Sequence, residues 1–147
     1  MSKITERFFP QPAGNDYQGN HFASWVFLGL ALLGLGRSLI HILAADGGAG
    51  SIAGMNLTGF DAADVIFVFA LWGSAQLLTA VLQLLVYWRY KSLIPLMYLF
   101  MLAEVLLRMF VGLIKPAAFS HTPPGAFSNY LLIPLLIAML ILTQKKC

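Results

Sequence analysis

Two pairs of residues in this chain have the types and the spacing to do chemistry. Arg37 and His41 stand four apart, as do Glu104 and Arg108, an interval that places both members of a pair on one face of an α-helix. A third polar line, Trp72, Gln76, Thr79 and Gln83, follows helical spacing through another apolar stretch. Charged groups inside such stretches cost roughly 2.5 kcal/mol or more each when lipid surrounds them, so they turn inward and pair. The pattern predicts one polar cluster of Arg37, His41, Gln76, Glu104 and Arg108. In it Glu104 pairs with Arg108 along its own helix and with Arg37 across the bundle, and Gln76 hydrogen-bonds beside them. Two cations would then share one anion. A second anion is expected, either Asp46 or Asp64 at the mouth or a bound ligand. The last apolar stretch offers no comparable polar group.

Other chemistries find little support. The single cysteine, Cys147, allows no intramolecular disulfide, thiol pair or cysteine metal cage. His21 and His121 fall at or beyond helix ends, so His41 has no second buried histidine, and neither a metal nor another cofactor is expected. No G-x-S-x-G, H-E-x-x-H, P-loop or dinucleotide fingerprint occurs. Glu104 and His41 are the one acid–base combination left. The basic residues gather at predicted helix ends and not along one face, which is no nucleic-acid footprint.

The elements that must position these residues follow from composition. Of 147 residues, 59% are hydrophobic and 10% charged, well outside the average for soluble domains. About twenty helical residues cross a hydrocarbon core. Four segments qualify, at about 22–44, 63–88, 93–114 and 128–143, after a tail of residues 1–21 that Pro10, Pro12 and scattered charge leave too broken for a folded domain, and that is expected to rest on the membrane surface. The expected fold is an all-α integral membrane protein, a single domain built as an up-down bundle of four transmembrane helices. Asp46-Gly47-Gly48-Ala49-Gly50 ends the first span, Asp61 and Asp64 cap the second, Ser92 caps the third, and the fourth follows Pro123-Pro124-Gly125. Gly29, Gly34 and Gly36 suit close helix contact, and Tyr87, Trp88 and Tyr90 suit an interfacial belt.

Lys3, Arg7, Arg89, Lys91, Lys145 and Lys146 share one side, and Lys115 alone stands on the other. Basic residues in short loops stay inside, so both termini are expected in the cytoplasm, in a plasma membrane of the bacterial inner-membrane kind. Arg37, His41 and Arg108 then fall in the outer half of the bilayer, with Glu104 and Gln76 near its middle. The expected partners are the lipid bilayer, a lipid-like ligand, and copies of the chain or a larger membrane complex, but not nucleic acid. The expected function is binding of an amphiphilic or anionic lipid-like ligand, or service as an accessory subunit, and enzyme activity is not favoured. The alternatives are proton-coupled transport through Glu104 with His41 as relay, and a small membrane enzyme acting on a lipid or quinone.

Overall fold

The computed structural model describes residues 3–59, 61–117 and 119–145. Its regular structure among these residues is helical: α1 Lys3–Phe8, α2 His21–Leu43, α3 Ala62–Arg89, α4 Ile94–Ile114 and α5 Pro124–Gln144, with a 3-10 turn at Lys91–Leu93. Helices α2 to α5 are each long and apolar enough to cross a membrane. Their flanks carry much of the apolar surface outward, with Leu33 71%, Leu78 73% and Leu113 81% exposed. A face of that extent is not compatible with water, and it marks an integral membrane protein.

Helix ends follow local chemistry, not always at the expected residue. The Asn20 side chain accepts from the Phe22 amide at 2.8 Å and caps α2. Asp61 precedes α3 but makes no capping hydrogen bond, and Asp64 lies exposed in the first turn. Ser92 does not cap α4, because its hydroxyl accepts from the Gly14 amide at 3.0 Å while its own amide donates to the Gly14 carbonyl at 3.1 Å. Helix α5 starts four residues earlier than expected, with Pro124 at a first-turn position. A proline there loses no hydrogen bond, and its fixed φ suits a helix.

Helices α2 and α3 form one closely packed antiparallel hairpin. Gly34 faces Ala80, Gly73 meets His41, and the Trp25 ring lies 6.3 Å from that of Tyr87. Helices α4 and α5 pack mainly on each other. The two hairpins share an apolar core of Ala23, Phe27, Val86, Ile94, Met97, Tyr98, Val105, Leu136 and Met139. Tyr98 donates to the Ala23 carbonyl at 2.6 Å, and its ring meets Phe27 edge-on at 5.6 Å. Burying each large side chain stabilises by about 1.5–3 kcal/mol, so the hairpins are tied most firmly here. Past Val105, α4 has no buried residue.

This packing places the tail and corrects two expectations. The amino-terminal tail is folded across the end of the bundle: α1 rests on the 3-10 turn and α4, and the Asn20 amide donates to the Leu142 carbonyl at 3.2 Å. Tyr87 is a core residue, with the Lys91 ammonium 5.0 Å from its ring centre, while Trp88 stays exposed. A Cβ added at Gly29 or Gly36 would meet nothing within 4 Å, and the close approach is made at Gly73 instead. Lys146 and Cys147 lie outside the described residues.

Candidate functional site: a polar seam between the hairpins

The α2 side of the site depends on Gly73. A Cβ there would stand 2.6 Å from the His41 Cβ and 3.2 Å from the Ser38 carbonyl oxygen, so only glycine lets the two helices close at this level. His41 is therefore buried, with its ring centre 5.1 Å from Trp72 and 5.5 Å from Phe69. Its Nδ1 lies 2.7 Å from the Gly47 carbonyl oxygen. A carbonyl only accepts, which puts the proton on Nδ1 and leaves Nε2 to accept from Arg37 Nε at 3.4 Å. Both ring nitrogens are thus engaged.

The Gly47 end of that contact is a folded loop. Gly47 and Gly48 take φ of 59° and 76°, values that only glycine adopts readily. Asp46 holds the turn, its carboxylate accepting from the Ser51 amide at 2.6 Å and the Gly48 amide at 2.9 Å. These two bonds, Ser51's first, pull the Asp46 carboxyl down to about 2. Asp46 therefore serves the loop and is not the second anion, and exposed Asp64 does not supply it either.

Arg37 is where the four long helices converge. Its guanidinium carbon sits 4.9 Å from the centre of the Trp72 ring on α3, a cation–π distance. Its Nη2 comes within 4.0 Å of the point where Gly125 on α5 would carry a Cβ. It also feels the charges of Arg108 and Glu104 on α4. The expected bond from Arg37 to Glu104 is not made: the one ion pair among the described residues joins Arg108 Nη2 to Glu104 Oε2 along α4. Trp72 and His41 take that place because Arg37 leans toward its own hairpin.

Arg108 is left short of partners. Its Nε and Nη1 are buried and hydrogen-bonded to nothing, while the Glu104 side chain is 56% exposed at the margin of the seam. Gln76 is half-buried, and its side chain makes no hydrogen bond among the described residues. Thr79 is exposed and bonds back to the Ala75 carbonyl at 3.0 Å, whereas Gln83 is buried beside the core nearer the termini. The expected polar line on α3 therefore divides, and only Trp72 reaches Arg37.

One residue was missed. Asn129 on α5, one turn along from Gly125 on the same face, is 7% exposed, and its Oδ1 is buried without a partner. A lone asparagine in an apolar stretch was the available signal, and it lacked a polar neighbour four residues away. The seam thus carries two guanidinium groups and one carboxylate, with donors in excess of acceptors. It can hold an anion, and it has no nucleophile positioned beside a free base. Comparison with protein-family models, with curated proteins and with solved structures found no match to this chain.

Proposed function

We propose that this chain crosses a bilayer four times, up and down, with both termini cytoplasmic, and that the seam binds the anionic head of an amphiphile. The observation that carries this reading is the pair of buried, unpartnered nitrogens on Arg108. Unmet donors on a buried cation are costly in lipid, and Arg37 nearby has no carboxylate of its own. A phosphate or carboxylate between them would supply the missing acceptors and the missing charge. Leu107, Phe110 and Val111 beyond Glu104 are exposed, so an acyl chain has an apolar surface to follow along α4. Transport or catalysis through His41 is less favoured, because neither ring nitrogen is free to exchange a proton with Glu104. The exposed Glu104 carboxylate supports a second reading, an accessory subunit whose partner helix presents a cation there.

The test is thermal unfolding in a neutral sugar detergent, with short-chain phosphatidic acid or phosphatidylcholine added. At about 100 times Kd a ligand stabilises by about 2.7 kcal/mol, a rise of roughly 5–10 °C for a chain of this size. Phosphatidic acid should give that rise with the native chain and lose it with Arg108→Gln. An equal rise with phosphatidylcholine, or one kept by Arg108→Gln, would remove the reading.

A further inference from the structure

The opposite end of the bundle holds a second site with different chemistry. Where the folded tail crosses the ends of α4 and α5 it borders an open cavity of 1020 Å³, whose lining includes Glu6, Arg7, Asp16, Ser92, Pro95 and Thr143. That volume is at the upper end of what small-molecule sites occupy. Its walls are tied down by the two-way bond between Gly14 and Ser92 and by the Asn20 amide on Leu142. Side chains of both charge signs surround it, yet Arg7 forms no ion pair with Glu6 or Asp16 among the described residues. Arg7 Nη1 is moreover buried with no hydrogen-bond partner. Charges of both signs held apart around one cavity complement a ligand that itself carries both.

We propose that this cavity binds a zwitterion with a phosphate at one end and a primary ammonium at the other. Arg7 donates to the phosphate, and Glu6 and Asp16 accept from the ammonium. Pro95 and Thr143 mark where α4 begins and α5 ends, so the cavity lies at the depth where headgroups meet helix ends. A phosphoethanolamine lipid headgroup and free phosphoethanolamine share this chemistry.

The experiment uses the full chain in neutral detergent and reads binding by titration calorimetry. The probes are short-chain phosphatidylethanolamine, short-chain phosphatidylcholine and free phosphoethanolamine. Phosphatidylethanolamine should bind, and Arg7→Gln should weaken it about tenfold or more, the usual effect of losing a charged hydrogen bond. Glu6→Gln with Asp16→Asn should bring it down to the level of phosphatidylcholine, whose quaternary ammonium has no N–H to donate. Binding of the free compound as tight as the lipid's assigns the site to a soluble ligand, and binding of the lipid alone assigns it to the headgroup. Equal affinity for the ethanolamine and choline lipids in the native chain, no binding by any probe, or unchanged affinity in Arg7→Gln would overturn the proposal. Arg108→Gln, in the other half of the molecule, should leave this binding intact, so the two sites fail separately.

Discussion

Replacing Gly73 with alanine tests the hairpin that carries Arg37. The added Cβ would stand 2.6 Å from the His41 Cβ, 3.2 Å from Ile42 Cγ1 and 3.2 Å from the Ser38 carbonyl oxygen. Carbon atoms rest about 3.5–4.0 Å apart, so α2 and α3 must separate by about 1 Å. Two of the three obstacles are a Cβ and a backbone oxygen, neither of which can swing aside. Overpacking of this sort costs roughly 1–3 kcal/mol, and it also moves His41 off Gly47 and Arg37. Gly36→Ala is the matched control, since a Cβ added there would meet nothing within 4 Å, and its gain in helix propensity is worth about 0.5–1 kcal/mol. Both glycines are helical and share that gain, so the two variants should differ by about 1–3 kcal/mol in denaturant titrations followed by circular dichroism. Equal stability of the two would show that α2 and α3 do not meet at this level, and the placement of His41 and Arg37 would go with it.

Three further outcomes are expected. Glu104→Gln should cost only about 1 kcal/mol, because more than half of the Glu104 side chain is exposed; a loss of several kcal/mol would mean the carboxylate is enclosed by a partner. The Asp46 carboxyl is lowered to about 2 by the Ser51 and Gly48 amides, so its hold on the loop is complete above its unfolded pKa near 3.9 and is lost as pH falls through about 2. Hydrogen exchange at Gly48 and Ser51 should accelerate between about pH 4 and pH 2, and Asp46→Asn should remove that dependence; equal pH dependence in both would refute it. Cys147, the only cysteine, should react with a membrane-impermeant maleimide in inverted vesicles and not in intact cells, and the reverse pattern would invert the proposed topology.

The four long helices were legible because lipid imposes a simple rule, an apolar run of about twenty residues with its backbone bonded internally. Three of the four begin and end within a residue or two of the sequence reading, and α5 differs because Pro124, which reads as a boundary, also suits a first turn. The pairing of Glu104 with Arg108 could be read from an interval of four residues. The partners of Arg37 could not, since spacing says which residues share a face and nothing about the rotation of one helix against another. Trp72 was noted as part of a polar line, but its place beneath Arg37 depends on Gly73, a residue with no side chain to draw notice. The folding of the tail was hidden for a similar reason: of its anchors, Ser92 to Gly14 and Asn20 to Leu142 are backbone hydrogen bonds, in which side-chain pattern leaves little trace, and only the Ser92 hydroxyl on the Gly14 amide involves a side chain.

The uneven tying of the two hairpins bears on how the seam would work. The shared apolar core runs from Ala23, Met97 and Tyr98 to Val105 and Leu136, and beyond it the hairpins meet through Arg37, Gly125, Glu104 and Arg108. Packed apolar side chains resist displacement. Two cations near one carboxylate repel each other, and the low dielectric of the surroundings strengthens that repulsion. The half of the seam that carries the charges is therefore also the half with least apolar contact to hold it shut. An anion entering between Arg37 and Arg108 reverses the sign of that interaction and draws α2 toward α4. Binding should thus tighten the half of the bundle farther from the termini while leaving the core around Tyr98 unchanged. Hydrogen exchange should slow in residues 105–114 of α4 when phosphatidic acid is added and stay constant in residues 94–102, and uniform protection along α4 would contradict this account.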